Sequence, residues 1–161
     1  MPRPSTTLSI GSAAPDFNLP AVNGEAVGLW DCLLAGPVVV EFIRGTWCPQ
    51  ARERLRELAA LNDAFRELRT RLVVVVCENP YTAARAIAKH PSPVTVLVDS
   101  DRTVARDYGV YQRFGIERWN LARPATFVID RAGYVRYVFV ARIRTESADL
   151  DEVLALVRGM Q

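Results

Sequence analysis

The sequence predicts an α/β fold: a mixed central β-sheet flanked by helices on both faces, with an extended, hairpin-like segment at the N-terminus. Three observations carry this. Strand-like and helix-like stretches alternate in the order β-α-β-α-β-α-β-β-α. The stretch Pro37–Leu61 passes from a β-branched apolar run through a short loop into an amphipathic helical pattern. The chain closes on two adjacent strands joined by Arg131-Ala132-Gly133, a hairpin rather than a further crossover.

Composition fits one domain over residues 1–161. Half of the 161 residues are hydrophobic, enough for a substantial core. Twenty basic residues against 18 acidic ones leave a net charge of +2, which offers no footprint for nucleic acid or a membrane surface. All but one of the basic residues are arginine, the exception being Lys89. The N-terminus lacks the apolar segment of roughly 7–15 residues that marks a signal peptide. No apolar run approaches the roughly 18 residues that span a bilayer, so a cytoplasmic location is expected. Three scattered cysteines, Cys32, Cys48 and Cys77, suit neither a disulfide scaffold nor a zinc site, so free thiols and no metal are expected.

Taken in order, residues 1–10 read as a flexible arm. Asn23-Gly24 signals a turn between two short extended pieces, Phe17–Leu19 and Ala26–Leu29. Leu29–Leu34 can form one helical turn, with Cys32 packed in it, and Gly36-Pro37 breaks the chain. Val38, Val39, Val40, Phe42 and Ile43 form the central strand. A helix follows, expected to end near Arg71. Leu72–Val76 is uninterrupted apolar sequence, as in a strand covered on both faces. Tyr81–Lys89 predicts a helix, closed by His90-Pro91-Ser92-Pro93; His90 is the only histidine and reads as a loop residue. Val94–Val98 is a strand, and Asp99-Ser100-Asp101 supplies a cap for a short helix. Residues 111–123 read as an irregular loop carrying Trp119. Pro124–Asp130 and Tyr134–Val140 are the closing strands. Ala148–Met160 is an amphipathic helix with Leu150, Val153, Leu154 and Val157 on one face.

Chemistry concentrates at Cys48. Proline is favoured at the first helical position, so Cys48-Pro49 places the cysteine at the N-cap. Unpaired N–H groups and the positive end of the helix dipole then favour a thiolate, the nucleophilic form. The alternative is a buried thiol that merely packs.

The segment Phe42-Ile43-Arg44-Gly45-Thr46-Trp47-Cys48-Pro49 resembles the active-site segment of thioredoxin-fold proteins. It is most similar to the peroxiredoxin-like branch, the alkyl hydroperoxide reductase and thiol-specific antioxidant group. Two further stretches resemble that group: the opening GSAAPDFNL, and Pro124-Ala125-Thr126-Phe127-Val128-Ile129-Asp130 with Gly133 after it. Tyr108-Gly109-Val110 also resembles it. The resemblance implies that Pro124 is cis and faces Cys48.

The sequence departs from each template of the group. Ala51 stands where a dithiol oxidoreductase carries its second cysteine. Gly45 stands where a peroxiredoxin carries threonine, with Thr46 one place later. Pro124 occupies the place of the distant arginine, with Arg123 beside it. Arg44 and Arg123 are therefore the candidates for holding the thiolate, and Thr46 for donating to a peroxide. Trp47, Pro49 and Pro124 would shape the site, and Cys77 is the one plausible resolving thiol. Arg52, Arg54 and Arg56 read as surface partners of Glu53 and Glu57. Glu41, a carboxylate in an apolar strand, should pair with an arginine or relay a proton. The resemblance implies a one-cysteine peroxidase that acts on hydroperoxides, draws on an external thiol or thioredoxin-type reductant and needs no cofactor. A monothiol thiol–disulfide oxidoreductase and a non-catalytic redox sensor or binding module are the alternatives, and a homodimer is left open.

Overall fold

A computed structural model describes residues 8–112, 121–143 and 145–161. The central sheet has five strands in the order β5-β4-β3-β8-β9. In chain order these are β3 (Val38–Phe42), β4 (Arg71–Val76), β5 (Thr95–Val98), β8 (Ala125–Ile129) and β9 (Val135–Val140). β3, β4 and β5 run parallel, whereas β8 and β9 pair antiparallel, making the expected mixed sheet. The helices are α1 (Leu29–Leu33), α2 (Pro49–Glu67), α3 (Pro80–Lys89), α4 (Thr103–Asp107) and α5 (Leu150–Gly159).

Strand alternation sorts the core into two layers. Val38, Val40 and Phe42 of β3 join Tyr108 and Phe127 on the face covered by α1 and α4. Val39 and Ile43 face the other way, toward Leu55, Leu58 and Phe65 of α2 and Val153, Leu154 and Val157 of α5. On the first face Phe42, Tyr108 and Phe127 meet with ring centroids 5.2–5.9 Å apart. Glu41 lies in register between its apolar neighbours and points into the second face.

The N-terminal hairpin forms as expected from β1 (Asn18–Pro20) and β2 (Ala26–Gly28), with Gly24 at φ +89° in the turn. It lies on the sheet's edge: Ala21 bridges Leu97, and the Val22 N–H donates to the Val96 carbonyl at 3.0 Å. Of the expected arm, residues 1–7 lie outside the described residues, and Leu8 already packs against the core.

Three boundaries differ from the sequence reading. α2 stops at Glu67 rather than near Arg71. The Arg69 and Thr70 N–H groups donate back to Arg66 and Phe65, with Arg69 at φ +53°, which caps the helix and releases Arg71 into β4. α4 starts at Thr103, because the carboxylate of Asp99 accepts from the N–H groups of Val104 (3.3 Å) and Ala105 (2.8 Å) from below. Within 111–123, the ends are regular: β6 (Tyr111–Gln112) pairs with β7 (Leu121–Ala122). Trp119 lies outside the described residues.

Candidate active site

Cys48 occupies the N-cap of α2, with extended backbone (φ −83°, ψ 125°) and Pro49 directly after it. No side chain accepts from the N–H groups of the helix's first turn, and no acidic residue stands there. That end of the helix therefore keeps its positive character toward the sulfur. The Cys48 Sγ–H donates to Gln50 Oε1 at 3.2 Å. The sulfur is almost wholly buried (residue 1% exposed) and lines a cleft of about 180 Å³. Arg44, Glu41, Gln50, Arg54, Pro124 and Glu146 share that cleft.

The loop before Cys48 is tightly built. A Cβ on Gly45 would stand 2.3 Å from Trp47 Nε1 and 2.7 Å from Glu78 Oε1, so a side chain here, threonine included, collides. Thr46 is buried, and both its N–H and its hydroxyl donate to the Glu78 carboxylate, the hydroxyl at 2.8 Å. Its side chain therefore braces the loop against the end of β4. It lines a separate groove with Arg52, Arg56, Lys89 and His90 rather than the Cys48 cleft. Arg44 stacks over the Trp47 ring at 5.4 Å from the centroid.

The Arg123–Pro124 bond is trans, not cis as the resemblance implied. The Arg123 N–H donates to the Val110 carbonyl and the Ala141 N–H to the Pro124 carbonyl, each at 2.8 Å. The chain thus enters β8 already extended and has no reversal to make. Pro124 still reaches the cleft, but Arg123 is exposed and does not line it. Of the two arginines proposed to hold the thiolate, Arg44 is the one that lines the cleft with Cys48.

Arg54 corrects another expectation. It is buried rather than part of a surface charge network. Its Nε donates to Glu41 Oε1 at 2.7 Å, and its Nη1 to the Ala148 carbonyl (2.9 Å) and Glu57 Oε2 (3.2 Å). Its Nη2 donates to Thr126 Oγ1 at 3.4 Å, and that hydroxyl donates onward to Glu41 Oε2 at 2.5 Å. Glu41 and Thr126 sit directly opposite each other on β3 and β8. Glu41 thus pairs with an arginine, as expected of a carboxylate in an apolar strand. Burial pushes its carboxyl up and the guanidinium opposes this, while the same pairing raises Arg54 against its own burial. Sequence reading missed the partner because Glu53 and Glu57 supplied nearer acids on the same helix. Of the pairs expected along the helix, Arg56 keeps one with Glu53 at the surface, and Arg54 keeps one with Glu57 from its buried position.

Cys77 directly follows β4 but packs in the opposite core layer from Cys48. Its Sγ lies 3.8 Å from Asp99 Oδ2. Burial first, and then the Asp99 charge, push its thiol up to about 12. Cys32 packs in that same layer, and all three cysteines are free.

A model of the AhpC/TSA family matches residues 10–138. The peroxiredoxin Bcp of Bacillus subtilis is 28% identical over 130 residues, spanning 79% of this chain and 82% of its own. The thiol:disulfide interchange protein DsbE of Allochromatium vinosum is 26% identical over 162 residues, 98% of this chain and 82% of its own. The crystal structure of the peroxidoxin BcpB from Mycobacterium tuberculosis superposes with a TM-score of 0.84 at 26% identity, covering 96% of this chain and 99% of that one.

Proposed function

We propose that this chain, which belongs to the AhpC/TSA family of the thioredoxin fold, is a thiol-dependent peroxidase with Cys48 as its nucleophile. The observation that carries the reading is the placement of Cys48: at the N-terminus of a 19-residue helix, on the wall of a cleft that also holds Arg44. A thiolate there attacks the terminal oxygen of a hydroperoxide. The S–O bond forms as the O–O bond breaks, and the sulfur is oxidised by two electrons to a sulfenic acid. The departing alkoxide or hydroxide takes a proton from water.

The cycle is completed by external thiol. One thiol condenses with the sulfenic acid, releasing water and leaving a mixed disulfide. A second thiol displaces the Cys48 thiolate and departs as a disulfide. Two features support this one-cysteine cycle. Ala51 removes a local partner, and Cys77 faces away across the sheet beside a carboxylate. Thr46 acts here as a brace, since its hydroxyl is committed to Glu78.

Peroxide consumption in excess dithiothreitol tests the reading: steady turnover of hydrogen peroxide is expected, and none would contradict it. The similarity to thiol:disulfide interchange proteins favours one second reading, a monothiol oxidoreductase. That reading expects rapid exchange with a small disulfide at Cys48 and no peroxide turnover.

A further inference from the structure

The cleft holds a second guanidinium whose bonding leaves it able to act on whatever enters. Arginine offers five N–H donors in a fixed plane. Arg54 commits four of them: one to Glu41, one to Glu57, one to the Ala148 carbonyl and one, the longest at 3.4 Å, to Thr126. The fifth, on Nη2, has no partner among the described residues. Arg54 is only 7% exposed and tied by four hydrogen bonds, so it is held rigidly, and it lines the same cleft as Cys48. Three elements fix its plane: β3 through Glu41, β8 through Thr126 and the chain before α5 through Ala148.

We propose that Arg54 is a catalytic residue of the peroxidase: its Nη2 donates to the oxygen that departs when the O–O bond breaks. Glu41 and Thr126 are the residues that position it. This rests on Cys48 being the nucleophile. In the step, the thiolate forms the S–O bond to the terminal oxygen, and negative charge builds on the other oxygen of the breaking bond. A preorganised donor aimed at developing charge of that kind stabilises it strongly. The charge is then quenched by a proton from water, and Arg54 keeps all of its own. Arg44, stacked on Trp47, is left the separate task of favouring the thiolate. The arrangement also gives the buried ion pair a function, since such pairs add little to stability when weighed against apolar residues of similar size.

The two tasks separate experimentally. Alkylation by iodoacetamide consumes the same thiolate but releases iodide, which has no oxygen for Arg54 to hold. The Arg54→Met variant should lose about 100-fold in second-order rate with hydrogen peroxide or tert-butyl hydroperoxide, the usual cost of removing one such donor. Its iodoacetamide rate should stay within about threefold of the parent. Glu41→Leu combined with Arg54→Met strips the whole ion pair, leaves no charge buried alone and should give the same split. Arg54→Lys should recover part of the peroxide rate. An unchanged peroxide rate, or equal loss of both rates in the double variant, overturns the proposal. If instead Cys48→Ser still turns over peroxide, the underlying assignment of the nucleophile fails, and Arg54 is not what was tested.

Discussion

Cys48 and Cys77 stand in places that look alike on paper. Each lies just beyond the C-terminal end of a central strand, β3 or β4, where open α/β sheets gather their sites. Each is about 1% exposed. Their surroundings separate them. Cys48 caps a long helix whose first turn holds no acid, and it shares a cleft with two arginines. Cys77 is sealed in the other core layer with a carboxylate 3.8 Å away. Burial beside a carboxylate therefore makes an inert thiol, whereas uncapped N–H groups and a single cation, Arg44, are surroundings in which a thiol becomes nucleophilic.

The comparison is sharpest under substitution. Cys48→Ser should cut peroxide turnover by at least about 1,000-fold, as losing a nucleophile does. Cys77→Ser should leave turnover of the folded enzyme within about twofold, since the one-cysteine cycle passes it by. Comparable losses in both would mean that Cys77 takes part. The support of Cys48 is a smaller effect. Arg44→Met should slow iodoacetamide labelling of Cys48 at pH 7 by about 3–10-fold, because a nearby cation is lost. Arg123→Met should change it by less than about twofold, because an exposed charge off the cleft is screened. The reverse order would return the role to Arg123.

The smallest effect concerns Cys77 and alkaline pH. Its folded thiol holds its proton up to about 12, against 9.0 for an ordinary thiol. Above pH 9 the unfolded chain releases a proton that the folded chain keeps, so stability falls as pH rises from 9 toward 12. The contribution is about 1.4 kcal/mol per pH unit at most. Buried Cys32 and Tyr108 are also raised and add their own slopes in both proteins. Denaturant unfolding of the parent and Cys77→Ala between pH 9 and 11 isolates the difference: the variant's stability should fall less steeply. Parallel slopes would show that Cys77 is not held as the structure has it.

The placement of Cys48 at the start of α2 was legible in the sequence because its signal is local. An apolar strand, a short loop, Cys48-Pro49 and a helical period all lie within one stretch. The turn at Asn23-Gly24 and the apolar face of α5 were legible for the same reason. What escaped depends on distance along the chain. Arg54 reads as a surface residue because Glu53 and Glu57 lie on its own helix, while Glu41 lies 13 residues away and Thr126 lies 72 away. The oddity of a carboxylate in an apolar strand was the available clue, and it named the need for a cation without naming which. Thr46 looked like a free donor because Glu78, 32 residues on, meets it only once β3 and β4 are paired. Pro124 misled through resemblance: a proline opening this strand implies a turn, but bonds on either side of it hold the chain extended.

The central claim, that Cys48 alone carries the oxidation, is tested most directly by trapping. The reduced protein is treated with one equivalent of hydrogen peroxide in the presence of dimedone, digested without reductant and mapped by mass. A dimedone adduct on the peptide containing Cys48, with Cys32 and Cys77 left as thiols, is the result expected. A linked Cys48–Cys77 peptide, or an adduct on either other cysteine with Cys48 unmodified, would contradict it.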